Sequence, residues 1–131
     1  TIDYQVVPKC TFTLPELASV GLTEEEAIAR GHQIKVGRFP FTANSMATIL
    51  GERRGLVKII TEAKYGQILG VHIIGPRATE LIAEATIAMK MEATPQDIVA
   101  TIHAHPTLSE ALREAALDVT GETIHFLSKN R

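Results

Sequence analysis

The chain has 131 residues, 45% of them apolar and 21% charged, with a net charge of −2; this is the balance of an ordinary globular domain, long enough to bury a core without staples. So slight a negative charge, with no long run of Lys or Arg, speaks against a nucleic-acid or anionic-membrane surface. A single cysteine, Cys10, excludes an internal disulfide or dithiol, and no apolar run approaches the roughly 18 residues of a membrane span, so a reducing, cytoplasmic setting is expected.

Residues 1–9 read as a linker into a first strand at 10–13, which Pro15 stops. Cys10 is expected there as a small buried hydrophobe. Thr23 followed three residues later by Glu26 fits a capping box, Glu24 and Glu25 add negative charge at the helix's positive end, and Gly31 closes it. Residues 32–39 predict a strand with Ile34, Val36 and Phe39 on its buried face, ended by Pro40. A connection with one helical turn at 46–50 follows. Residues 55–61 and 68–74, rich in β-branched side chains around a turn at 63–67, predict a hairpin at the centre of a sheet. His72, inside its second strand, is expected to be a hydrogen-bonded structural histidine.

Gly75 and Pro76 break the hairpin, and residues 77–92 predict a helix whose stripe of Leu81, Ala85, Ala88 and Met89 lets it lie close on the sheet. Glu80 and Glu84, one turn apart with no histidine expected on that face, read as an exposed rim. Thr94, Pro95 and Asp97 mark the start of another short helix. From Leu108 the apolar residues Ala111, Leu112, Ala115, Ala116 and Val119 recur at helical spacing, and Thr107 with Glu110 fits a second capping box. After Gly121 comes a brief apolar tail at 124–127, in which His125 has no visible partner, and then the polar Ser128, Lys129, Asn130 and Arg131. Helices gathered after the strands predict an α+β fold, an antiparallel sheet with helices mainly on one face.

Immediately before the last helix stands His103-Ala104-His105-Pro106-Thr107-Leu108-Ser109-Glu110. The proline forces His105 out of helical geometry and fixes where its imidazole points. This octapeptide resembles the C-terminal signature of the flavin-dependent pyridine nucleotide disulfide oxidoreductases. Its two histidines are most similar to the dihydrolipoamide dehydrogenase branch. Near the other end, Phe12-Thr13-Leu14-Pro15-Glu16-Leu17-Ala18-Ser19-Val20-Gly21 is similar to the opening of that family's interface domain, so the resemblance spans nearly the whole chain.

The resemblance implies a single interface or dimerisation domain, residues 1–131, that forms a homodimer and sends His105 into the active site of the partner subunit. There His105 is expected to act as general base toward a dithiol, near-neutral proton exchange being what imidazole does well. Glu110 would orient the ring, His103 would support it, and the backbone at His105 and Pro106, a cis proline in the family, would approach the partner's FAD. The sequence has no Gly-x-Gly-x-x-Gly and no P-loop. FAD and NAD are therefore expected to belong to missing domains of a longer parent, with no cofactor bound to this chain and no activity in it alone. Lipoyl proteins of a 2-oxo acid dehydrogenase complex or of glycine cleavage would be the parent's partners. Two alternatives remain: a purely structural assembly module, or a metal site built from His103, His105 and Glu110. Association is expected through the sheet edge and the helix beginning at Leu108.

Overall fold

A computed structural model describes residues 2–127. Five strands form one antiparallel sheet: β1 (Lys9–Thr11), β2 (Glu16–Gly21), β3 (Ile34–Pro40), β4 (Leu56–Glu62) and β5 (Ile68–Gly75), in the order β1-β2-β5-β4-β3. Five helices accompany it: α1 (Glu24–Ala29), α2 (Ser45–Leu50), α3 (Ala78–Lys90), α4 (Pro95–Ala100) and α5 (Glu110–Asp118). The α+β reading holds. The hairpin β4-β5 lies inside the sheet as expected, and its turn is held by the Glu62 carboxylate, which accepts the N–H groups of Lys64 and Tyr65.

Alternation along the strands divides the sheet into two faces. Ala18, Val20, Phe39, Val57, Ile59, Val71 and Ile73 are buried on one of them. Onto this face α3 packs across β2 and β5, α5 packs across β3 and β4, and α4 rests against α5. Each fully buried aliphatic side chain contributes roughly 1.5–3 kcal/mol. On the other face Ser19, His72, Lys58 and Arg38 stand in register across four strands. Glu24 at the start of α1 accepts from Lys58 (2.9 Å) and Arg38 (2.6 Å), and His72 Nε2 lies 2.9 Å from the Leu22 carbonyl. His72 is thus the structural histidine expected.

Gly37 lets α5 ride directly on β3: a Cβ there would stand 2.1 Å from the carbonyl oxygen of Ala115. The six apolar positions of the predicted stripe from Leu108 to Val119 are all buried. That stripe is therefore consumed inside the chain, and α5 keeps no apolar face for a partner, contrary to the expectation that it carries association. Edge strand β1, by contrast, is exposed at all three residues.

Three further readings are corrected. The first strand is shorter than expected, and beyond Pro15 the chain forms β2, which sequence pattern did not reveal. Cys10 is exposed, because β1 is an edge strand whose three residues all face solvent. The box at Thr107 forms only in half: Glu110 Oε2 accepts the Thr107 N–H at 2.9 Å, whereas the Thr107 hydroxyl turns back to the Ala104 carbonyl at 2.7 Å, and the cap position of α5 is Ser109. The box at Thr23 forms completely. The polar end at 128–131 lies outside the described residues.

Candidate functional site

The segment between α4 and α5 is held at several points. Thr101 donates to the preceding helix through both its N–H, to the Asp97 and Ile98 carbonyls at 3.2 Å, and its hydroxyl, to the Asp97 carbonyl at 2.8 Å. Further on, the amide nitrogen of Asn44 donates to the Thr107 carbonyl at 3.0 Å, while its Oδ1 caps α2 at the Ala47 N–H. Asn44 is 3% exposed, so a buried polar side chain bridges two elements and both its ends are satisfied. The peptide bond between His105 and Pro106 is cis.

In that frame, His105 Nδ1 lies 2.9 Å from Glu110 Oε1. The other oxygen of Glu110 holds the Thr107 N–H, so one carboxylate fixes both the ring and the backbone two residues beyond it. The His105 side chain is 69% exposed while Glu110 is mostly covered. With Nδ1 turned to the carboxylate, Nε2 is the nitrogen left to meet a reacting group. Burial pushes the Glu110 carboxyl up, but the Thr107 N–H, the hydrogen bond from His105 and the charges of His105 and His125 outweigh it, and the net shift is downward. The group is thereby kept ionised, the state in which it accepts a hydrogen from the ring and holds its orientation.

His103 behaves differently. Its ring is 6% exposed, with Nε2 2.7 Å from Glu84 Oε1 and Nδ1 3.0 Å from the Thr101 carbonyl. The expectation that Glu84 is a rim residue lacking a histidine partner is corrected: the loop folds back along α3 and brings one to it. His103 and His105 do not converge on one point, since each has its own carboxylate. Among the described residues no group of three or more His, Cys, Asp or Glu side chains is arranged to hold a metal.

A third pair completes the region. Glu114, one turn beyond Glu110 on α5, has a side chain 5% exposed and lies 2.9 Å from His125 Nδ1, so the reading of His125 as partnerless is also corrected. All three histidines, with Glu110, Glu114 and Arg113, line one groove of about 360 Å³.

The sequence profile of the pyridine nucleotide-disulphide oxidoreductase dimerisation domain matches residues 7–116. The chain belongs to this family.

Within the family its similarity is to the dihydrolipoyl dehydrogenases. It is 53% identical over 125 residues to dihydrolipoyl dehydrogenase of Bacillus subtilis, covering 95% of this chain and 26% of that protein. To the mitochondrial dihydrolipoyl dehydrogenase of Pisum sativum it is 50% identical over 125 residues, again 95% of this chain and 25% of the relative. Among solved structures it is similar to LpdA of Mycobacterium tuberculosis, with a TM-score of 0.82 at 30% identity over 88% of this chain and 25% of that one. The chain thus spans about a quarter of the length of the relatives it matches, and it is a dimerisation domain of the pyridine nucleotide-disulphide oxidoreductase family, similar to that of the dihydrolipoyl dehydrogenases.

The family's signature residues were legible in order, but the roles of three residues that hold the signature segment and its histidines were not. Asn44, Glu84 and Glu114 act at separations of 63, 19 and 11 residues from Thr107, His103 and His125. Glu84 left a trace as one of two glutamates a turn apart, and Glu114 as a charge set among the apolar positions of an amphipathic helix.

Proposed function

We propose that this domain supplies the His105–Glu110 pair as the proton-carrying group of a dihydrolipoyl dehydrogenase homodimer, working in the active site of the partner subunit. The observation that carries this reading is an exposed imidazole whose Nδ1 is 2.9 Å from a carboxylate kept ionised by its surroundings. Oxidation of a dithiol to a disulfide releases two electrons and two protons. FAD and NAD, when bound to the full-length parent, supply the electron acceptors. One thiol proton passes to Nε2 of His105, and the other would leave with the electron pair as a hydride equivalent; Nδ1 keeps its own hydrogen, donated to Glu110 Oε1, so the ring gains its charge beside a carboxylate that needs no reorganisation.

This chain fits only a supporting part toward the flavin. It has no Gly-x-Gly-x-x-Gly to hold a pyrophosphate, and what it offers is the backbone at His105 and Pro106, where His105 stands exposed on the groove. His103, tied through both ring nitrogens, supports the segment and does not exchange protons with substrate. The chain alone, lacking the redox cysteine pair, has no turnover. Lipoyl proteins of a 2-oxo acid dehydrogenase complex or of glycine cleavage, in the cytoplasm, are the partners of the parent. Exposed Phe12, Leu14 and Ile102 are the apolar side chains that pairing of two copies would cover.

Subunit mixing tests this. In the full-length protein carrying this chain, His105→Gln should lower kcat for NAD reduction by dihydrolipoamide by about 100-fold or more, the scale of a lost general base. A subunit whose redox cysteines are replaced should be inactive too. Hybrids of the two have one intact site and should recover activity; hybrids as dead as their parents would show that His105 serves its own subunit or no site at all.

A further inference from the structure

Residues 122–127 look like a tail by sequence, yet they return across α5 and are fastened there. Both oxygens of the buried Glu114 are used: Oε1 by His125 Nδ1 at 2.9 Å, and Oε2 by the N–H groups of Ile124 (3.1 Å) and His125 (3.3 Å). The Thr123 hydroxyl donates to the Phe126 carbonyl at 2.6 Å, and the Phe126 ring meets Phe39 edge-on with centroids 6.3 Å apart. A carboxylate that holds two backbone N–H groups as well as a ring fixes a segment in place. The His125 ring nevertheless remains 62% exposed and lines the same groove as His105.

The two imidazoles therefore stand in matching arrangements. Each turns Nδ1 to a glutamate of α5, the glutamates are one turn apart, and each leaves its Nε2 side open. Side chains four apart on a helix have Cβ atoms about 5–6 Å from one another, so the two rings are anchored to neighbouring positions along the wall of one groove. The family match ends at residue 116, before His125.

We propose that His125 is a substrate-positioning residue of this groove, its Nε2 hydrogen-bonding a polar group on the arm that carries the dithiol while His105 meets the thiol. This rests on the groove being the dithiol site. One reactive proton needs one base, and His105 takes it; the second ring, fixed by a carboxylate already shared with the backbone, serves to hold. A neutral Nε2 accepts a hydrogen bond and a protonated one donates, so an amide on the arm suits either state.

Asparagine separates a holding role from a purely structural one, because its amide can replace the Nδ1–H donor to Glu114 but has no atom at the place of Nε2. In the full-length protein, His125→Asn should raise KM for dihydrolipoamide about three- to tenfold, the worth of one hydrogen bond, with kcat within about twofold of wild type. His125→Ala should do at least as much. If Asn restores a wild-type KM, or if kcat falls as much as KM rises, His125 is not a positioning residue. The arms are distinct: His105→Gln at full rate would sink the reading of the groove, whatever His125 does.

Discussion

Nε2 of His103 lies 2.7 Å from Oε1 of Glu84, and this contact ties the loop before α5 to the outer side of α3. The partners are 19 residues apart, and the imidazole is almost wholly covered while the carboxylate is about one-third exposed. Because the ring's other nitrogen meets a carbonyl oxygen, which only accepts, each ring nitrogen faces an acceptor. Glu84→Gln keeps the size of the side chain and can still hydrogen-bond, but removes the charge. A double-mutant cycle with His103→Ala should give a coupling of about 1 kcal/mol in urea unfolding, solvent screening holding it near the exposed-pair range. A coupling indistinguishable from zero would mean that the contact contributes nothing to stability.

Acid should weaken the fold in part through Glu110. Its carboxyl is held below the ordinary glutamate value of about 4.3: burial raises it, and Thr107, His105 and His125 together lower it further. A group whose folded value is depressed takes up its proton more readily in the unfolded chain. Its stabilisation is therefore present above about pH 4.3 and is lost as pH falls through the folded value. Unfolding free energy measured from pH 6 to 3 should decline, and Glu110→Gln should flatten that decline. A slope unchanged in the variant would remove Glu110 from the account.

Asn44 offers a sharper test of how the signature segment is held. Asn44→Ala loses both the cap of α2 and the bond to the Thr107 carbonyl, and should cost about 2 kcal/mol. Asn44→Asp preserves the cap acceptor but sets a second acceptor against that carbonyl, so it should recover only the capping share. Equal stability of the Asp variant and wild type in thermal and urea unfolding would show that the bond to Thr107 is idle.

Gly37 should not tolerate even alanine. The added methyl would meet backbone atoms of α5, at 2.1 Å from the Ala115 oxygen and 2.8 Å from the Val119 nitrogen, neither of which is the end of a flexible chain. Overpacking of this kind costs about 1–3 kcal/mol. A Tm for Gly37→Ala equal to wild type would mean that α5 can lift away freely.

What could be read from sequence was what neighbouring residues settle among themselves. The capping residues at Thr23 and Thr94, the β-branched hairpin and the apolar stripe of α5 are all local patterns, and all appear in the fold. The strand β2 escaped because Ala18 and Ser19 carry little strand preference; it exists because β1 and β5 pair with it on either side. Cys10 looked like core for the same reason in reverse, since nothing in the neighbouring residues says that β1 is an edge. At the groove, His105 and Glu110 are five residues apart and could be paired by eye. His103 with Glu84, and His125 with Glu114, depend on how a loop and the C-terminal segment fold back, which no short window of sequence contains.

Glu110 and Glu114 share one rigid rod, and this makes the spacing of the two carboxylates that anchor the rings a property of helical pitch. Slipping α5 by a single residue would rotate both carboxylates by about 100°, unseating both imidazoles in one stroke. Evolution or an engineer can therefore retune what approaches the groove by editing the rings themselves, but cannot move one ring's anchor along the rod without dragging the other.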